Sequence, residues 1–498
     1  MIKQLAKDSA KYLPSKLVPP LTGIIAIPIL TRLFPPQIYG NYILVVAAVS
    51  FLSTIAVEWL SSSTIRFFPI YKLNNNLNQF YHVLLKLIIF SVGIITIFMV
   101  VILALLKNHI STNLIFLLRI GMLLFIVDSF WSVFLNLLRI KQKVGWYSIY
   151  SVWKSVAGLT IGIVIVQVFN MGIEGLLFGE IIVTIIIIPL LWKTSLGVQP
   201  FKNKGNIFSS MGKEIAKYGI PAMWINVLTW AQSLSDRYLL EIFRGSYEVG
   251  IYSASYSLAE KSIFFIVSLF HLAGTPIAFT LWENHGIEKT RDFMNKIARY
   301  YLLISVPAAV GISILAKSAI QILVESQYYA GYVIVPLVTF GAFLVGVAHR
   351  FAIIFSYYKR TDVLMLCYLG SVILNVALNI LFIPKYGYIA AAATTFASYA
   401  FLLLSALFIS RRFFTWQFPF KSLIKITCAS AIMGIVVYLV SNSLMISKLL
   451  NLSLSICLGG FIYLVLLFLF REFQQQEKVI MKQVLLKYFP YRVIPVNR

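Results

Sequence analysis

The stretch SYEVGIYSASYSLAEKSIFFIVSLFHLAG (246–274) is long and apolar enough to cross a bilayer, yet Glu260 and Lys261 stand near its middle. An ionisable side chain there is costly unless it faces protein or water. Tyr252, Tyr256 and Glu260 are spaced by four, as are Ser253, Ser257 and Lys261. Residues four apart share a helix face, so the two rows make one polar stripe. His271, eleven residues beyond Glu260, falls about 20° from it at the helical repeat. The opposite side is Ile, Phe, Val and Leu. Such a helix turns one face to lipid and one to a polar interior, where Glu260 could exchange a cation and Lys261 could meet an anion.

Other apolar segments carry charge in the same way. Ser50, Thr54, Glu58 and Ser62 form a second stripe, and Glu58 reads either as a proton or cation site or as a carboxyl paired by a neighbouring helix. Arg119 and Asp128 share one segment, but nine residues apart they point to opposite sides and cannot pair with each other. Lys154 follows Trp146, Tyr147, Tyr150 and Trp153, which reads as an interfacial aromatic belt with a lysine able to snorkel to the headgroups. Glu174 reads as a loop residue and Glu180 as lying deeper. Asn226, Trp230, Ser233 and Arg237 share a face, with Asp236 adjacent, either as a site or as a local ion pair. Arg350, beside His349, would be a natural phosphate ligand because its guanidinium presents a planar fork of donors. Asn375 and Asn379 are explained by hydrogen bonding between helices.

The composition says what these charges are set in. Hydrophobic residues make up 60% of the 498 and charged residues 12%, with a mean hydropathy of +0.87, far from a soluble domain. The expectation is an all-α polytopic membrane protein. The balance is basic, 42 Lys+Arg against 17 Asp+Glu, but these residues fall between apolar segments. That suits membrane topology and anionic lipid better than nucleic acid. Cys367, Cys428 and Cys457 all lie in apolar segments, which gives neither a disulfide framework nor a metal motif. No short apolar core followed by a small-residue cleavage site marks a removable signal peptide.

Segments of about 20 apolar residues number about fourteen: 12–33, 39–62, 82–106, 112–138, 148–169, 171–192, 214–237, 248–275, 297–316, 329–357, 362–383, 387–409, 421–441 and 447–470. Four prolines (Pro14, Pro19, Pro20 and Pro28) predict a bent first helix. Basic residues concentrate in alternate connections: Lys3, Lys7 and Lys11; Arg139, Lys141 and Lys143; Lys202, Lys204 and Lys213; Lys289, Arg291 and Lys296; Lys359 and Arg360; Arg411, Arg412 and Lys421. The tail adds Arg471, Lys478, Lys482 and Lys487. By the positive-inside rule both termini are cytoplasmic.

An internal repeat runs through the chain. LFPPQIYGNYILV (33–45) parallels IFRGSYEVGIYSA (242–254), setting Gly40 opposite Gly250. LRIKQKVGWYSIYSVWKSVAGLTI (138–161) parallels SYYKRTDVLMLCYLGSVILNVALNI (356–380). FNMGIEGLLFGE (169–180) parallels PKYGYIAAAATT (384–395). Helices 1–6 thus recur as 7–12 with the same polarity, a parallel repeat. The expected organisation is a six-helix lobe over 1–200, a second over 201–412, and two appended helices with a basic tail over 413–498.

TRLFPPQIYGNY, SDRYLLEIF and YYKRTDVLMLCYLGSVILNVALNILFIPKYGYIAAAATTFAS resemble the polysaccharide-transporter branch of the multidrug/oligosaccharidyl-lipid/polysaccharide superfamily, the O-antigen-type lipid-linked oligosaccharide flippases. The resemblance spans nearly the whole chain. It implies two lobes around a cavity that opens alternately to either side of the cytoplasmic (inner) membrane. It also implies a polyprenyl-diphosphate oligosaccharide as substrate, with a polysaccharide polymerase and chain-length proteins as further partners. On this reading Lys261, Arg350, Arg119 and Arg237 meet the diphosphate, and Tyr252, Tyr256 and Trp230 face sugars. Glu58, Asp128 and Glu260 couple transport to a proton or sodium gradient. The alternatives are a multidrug or cation antiporter, a lipid II flippase and, further off, a membrane polymerase or ligase. No cofactor, metal or catalytic residue is expected: neither a P-loop nor H-E-x-x-H occurs.

Overall fold

The computed structural model describes residues 2–108, 110–197, 209–414, 416, 418–443, 447–475, 477 and 479, with backbone alone for 2–11 and 273. The expected positions of Lys202, Lys204, Lys478, Lys482 and Lys487, and of the side chains of Lys3, Lys7 and Lys11, lie outside these. Among the described residues the chain is helical throughout and has no strand. Eleven helices are long and apolar enough to cross a membrane, so the chain is a multi-pass membrane protein.

The helices are α1 (Ile2–Leu33), α2 (Pro36–Leu73), α3 (Leu77–Leu106), α4 (Thr112–Ile140), α5 (Val144–Val168), α6 (Glu174–Ser195), α7 (Ser210–Arg244), α8 (Ser246–Ile314), α9 (Ala316–Leu323), α10 (Val335–Tyr357), α11 (Thr361–Ser410), α12 (Phe420–Ser443) and α13 (Lys448–Leu469). A 3-10 segment, Ser326–Ile334, precedes α10. The first expected span is present despite its four prolines. Neighbouring helices can satisfy carbonyls that proline frees.

Two of these runs are really pairs of helices. α8, 69 residues long, turns at Gly286 (φ 72°), and α11, 50 residues long, turns at Gly387 (φ 59°). Both glycines occupy the left-handed region that an L side chain avoids. At the second turn Glu248 acts as an external cap. Its Oε2 accepts the Tyr388 backbone N–H at 3.0 Å, a group that the start of a helix leaves unpaired. Its Oε1 accepts Arg244 Nε at 2.7 Å. The polar α7 is not among the eleven apolar helices.

Packing follows two rings of like connectivity. In one, α1 lies on α5, α5 on α6, α6 on α4 and α4 on α2. In the other, α7 lies on α11, α11 on α10 and α10 on α8. The two limbs of α11 are joined by a buried polar ladder. Ser371 donates to Ser398 O at 2.6 Å, Asn375 donates to Ser398 Oγ at 3.2 Å and to Thr395 Oγ1 at 3.3 Å, and Thr394 donates to Asn379 Oδ1. The expected hydrogen bonding of Asn375 and Asn379 between helices is what the structure contains. α12 and α13 pack on each other, and α12 on α8.

The rings meet where α2 and α8 begin. A Cβ on Gly40 would overlap Ser246 O, and one on Gly250 would overlap Pro36 O. Each helix thus presses its glycine against the other's first turn. Around this crossing Ser246 Oγ lies 2.6 Å from Asn41 Oδ1, and Tyr328 donates to Phe34 O at 2.8 Å. α2 and α7 then run antiparallel. Tyr238 donates to Leu44 O at 3.0 Å, Phe51 meets Trp230 with ring centroids 4.4 Å apart, and Ser63 donates to Ile215 O at 2.7 Å.

Gly40→Ala should therefore lower stability by about 1–3 kcal/mol through overpacking, read as a fall in the thermal midpoint of the detergent-solubilised protein. Gly93, on α3, has open space at its Cβ. Gly93→Ala should be neutral or gain up to about 1 kcal/mol from helix propensity.

Candidate functional site

The charged side chains fall into four groups. The first joins α4, α5 and α6. Lys154 Nζ donates to Asp128 Oδ1 at 2.7 Å and lies 3.4 Å from Glu180 Oε1, with the Trp131 ring 5.6 Å away. The snorkelling expected of Lys154 does not occur, because two carboxylates hold its ammonium inside the bundle. The triad opens onto a cavity of about 450 Å³. Hydroxyls of Ser15, Thr22, Tyr42, Ser151 and Ser155 line it, with Lys154 and Glu180 in the wall. Two carboxylates on one ammonium leave the wall one negative charge in excess when all are ionised.

The second group belongs to α7 and α8. Arg237 Nη1 donates to Asp236 Oδ1 at 3.0 Å and to Ser233 O at 2.6 Å, while Tyr252 donates its hydroxyl to Asp236 Oδ2. The Arg237 guanidinium lies over the Tyr252 ring at 5.5 Å and the Tyr256 ring at 4.8 Å. All four residues are buried. Of the two readings of Asp236 and Arg237, the geometry is that of the local ion pair. Tyr252 and Tyr256 complete its cage, and their burial leaves no face for a sugar. Trp230 likewise packs between Phe51 and Tyr238.

Lys261 is the third. Its ammonium crosses from α8 to α1, where a Cβ on Gly23 would lie 2.5 Å from Nζ. Gly23 also lines the 450 Å³ cavity, so Lys261 packs against one of its wall residues. Glu260, half-buried beside it, feels the charges of Arg237 and Lys261. One turn away Leu258, Ala259 and Ser262 line a second, apolar space of about 720 Å³ between α8, α9, α12 and α13.

Arg350 is the fourth, apart from the other three. It is 9% exposed and lines a cavity of only about 20 Å³ with Gly274, Thr275 and Tyr357, too small for a diphosphate. Arg119 and Glu58, also expected at the site, line none of these cavities. Arg119 is exposed on α4, away from the cavities. Glu58 is half-buried on α2, under the field of Arg139.

Arg299, in the second limb of α8, ties that helix to the chain beyond α13. It donates to Glu472 Oε1 at 2.8 Å and to Glu477 Oε1 at 2.5 Å. Burial pushes the Glu477 carboxyl up, and the Arg299 donors more than offset it, holding that carboxyl below its ordinary value. The sequence reading missed this clasp. It also missed Lys154 and Glu180 as a pair, whose only signal was the depth of both residues in apolar segments.

The model of the family described as "Polysaccharide biosynthesis protein" matches residues 29–332. The fold is shared with the lipid II flippase MurJ in an inward closed conformation, at a TM-score of 0.75 and 17% identity, covering 94% of this chain and 99% of that one. It is also shared with an inward-facing multidrug resistance MATE family transporter of the MOP superfamily, at 0.65 and 11%, covering 81% and 97%. An uncharacterized membrane protein of Methanocaldococcus jannaschii is 28% identical over 145 residues, 29% of this chain and 28% of its own length.

Lys154→Met should leave Asp128 and Glu180 facing each other without a counter-ion and cost roughly 2 kcal/mol or more. The double variant D128N/K154M should regain part of that loss, as a double-mutant cycle on thermal midpoints would read.

Proposed function

Because the chain belongs to the polysaccharide biosynthesis protein family, we propose that it is a flippase. It carries a polyprenyl-diphosphate oligosaccharide from the inner to the outer leaflet of the cytoplasmic membrane by alternating access of two lobes. α1–α6 form one lobe and α7–α11 the other, with α12 and α13 appended, giving fourteen crossings once α7 and the limbs of α8 and α11 are counted. The recurrence of the packing ring supports this division. Both termini face the cytoplasm, in keeping with the basic connections.

The observation that carries the reading is the placement of Lys261. Its ammonium packs against Gly23, a wall residue of the hydroxyl-bearing cavity, and within one turn of it on α8 Leu258, Ala259 and Ser262 line a wide apolar groove. That order matches the order of the substrate, sugar then diphosphate then prenyl chain. A diphosphate crossing about 30 Å of hydrocarbon unaided would lose its hydration. A lysine beside a polar cavity supplies a counter-charge with three donors. Hydroxyls suit sugar, and the groove keeps the chain in an apolar medium throughout. Asp128 and Glu180, sharing one ammonium, are the carboxylates best disposed to take up a proton or sodium ion during the cycle. A protein that moved cationic drugs would gain nothing from the lysine.

Lys261→Ala should abolish surface polysaccharide in a flippase-deficient strain while the protein still inserts, and Lys261→Arg should retain part of it. Normal polysaccharide with the alanine variant would sink the assignment. Rescue of a strain lacking its lipid II flippase would point to that substrate instead, and dye efflux without polysaccharide rescue to an antiporter. Gly460 lines the apolar groove and has open space at its Cβ. Gly460→Trp should fill the groove and cut transport at least tenfold with little change in thermal midpoint, if the prenyl chain lies there.

A further inference from the structure

Arg350 presents an electrostatic problem that its own neighbours leave unsolved. The residue is 9% exposed, and its Nε and Nη2 are buried with no hydrogen-bond partner. Among the described residues no carboxylate pairs with it. The groups of opposite sense that act on it are the phenols of Tyr301 and Tyr357, and its guanidinium lies 5.6 Å from the Tyr301 ring centroid and 5.9 Å from that of Phe270. Ring faces ease a buried cation without neutralising it.

Two histidines stand beside it. The rings of His271 and His349 lie 6.5 Å apart, both feel the charge of Arg350, and His271 also feels Lys16 of α1. His349 is held by the Tyr368 hydroxyl at 3.3 Å, and His271 Nδ1 lies 3.3 Å from Thr275 Oγ1. Buried charges in proteins are paired, since an unpaired one costs several kcal/mol.

The structure supplies the space for a partner. The cavity of about 20 Å³ that Arg350 lines also carries Thr275 and Tyr357, and the Tyr357 hydroxyl is another buried group without a partner. Its remaining walls are Gly274, Ala278, Phe293, Met294, Ile297 and Ile353. Such a volume holds about one particle of the size of a water molecule. Arg350 and Tyr357, each carrying buried donors without a partner, line one space for a single small particle in an otherwise apolar wall. We propose that this is a binding site for a single small inorganic anion of halide size, clamped between α8 and α10. The occupant supplies the missing negative charge and accepts from Arg350 and Tyr357. The site is separate from the cavity assigned to the lipid-linked substrate, and the proposal does not depend on that substrate.

The test uses the purified full-length protein in detergent, with bromide as the probe and gluconate as the reference anion at equal ionic strength. Bromide should raise the thermal midpoint saturably in the wild type, and Arg350→Met should abolish the rise. An equal rise in both proteins would overturn the proposal, because it would report a general salt effect. A rise with pyrophosphate and none with bromide would also overturn it and return Arg350 to the diphosphate. Should R350M fail to fold, crystals of the wild type grown with bromide decide the matter. One anomalous peak in contact with the Arg350 guanidinium and the Tyr357 hydroxyl supports the site, and a water there instead refutes it.

Discussion

The close approach of α2 and α8 at Gly40 and Gly250 is the contact on which the rest of the structure depends. Each glycine faces a backbone carbonyl of the other helix's first turn, Ser246 O for one and Pro36 O for the other. The reciprocity is what a two-fold relation between two halves produces when the axis passes between them. Backbones can meet this closely only where both side chains are absent, and in a membrane such close packing is a main source of helix association. Because α2 and α8 are fixed to each other at their starts, α8 descends beside α1. Lys261, four turns below, is then brought against Gly23 rather than into its own half. One contact between small residues thus sets the position of the charge proposed to meet the substrate.

Charge inside these helices sorts by whether it has a partner. Arg237 has Asp236 and two tyrosine faces, Lys154 has two carboxylates, and Arg299 has Glu472 and Glu477. In each case the pairing offsets the cost of removing the groups from water, so the pair has a structural account. Lys261 and Arg350 have no ion pair among the described residues. They differ in what lies next to them. Lys261 packs against Gly23, a wall residue of a cavity large enough for sugar rings, whereas Arg350 lines a space for one small particle. The size of the adjoining space, rather than the presence of a cation, separates the two proposed roles.

The architecture was largely legible in the sequence because its causes are local. Hydropathy shows the spans, and Gly40 and Gly250 emerge from the repeat at the place where they meet. The buried ladder of Asn375 and Asn379 follows from their spacing on one face. The site was less legible because its causes lie between helices. Spacing along one helix tells which residues share a face and not what that face meets. Lys154 read as an interfacial lysine because its carboxylates sit 26 residues before it and 26 after it. Tyr252 and Tyr256 lie on the polar stripe as read, but the stripe faces Asp236 and Arg237 instead of open space. Arg350 was read as a phosphate ligand, and only the volume beside it, about 20 Å³, shows that a diphosphate does not fit there.

The repeat also explains why the two halves need different charges. At the register that sets Gly40 opposite Gly250, Glu260 and Lys261 fall opposite Ser50 and Phe51. Phe51 packs on Trp230 at the seam between α2 and α7, while Lys261 reaches Gly23 at the seam between α8 and α1. One seam is closed by a tilted aromatic contact and the other carries a cation. A substrate with a charged head and a hydrocarbon tail has no two-fold symmetry, so a symmetric pair of seams would bind it in two orientations or in neither. On the proposed function, sealing one seam with Phe51 and charging the other with Lys261 would leave a single way in, with the tail directed to the groove that α12 and α13 help to line. The two appended helices then have a physical reason to stand against the second ring alone.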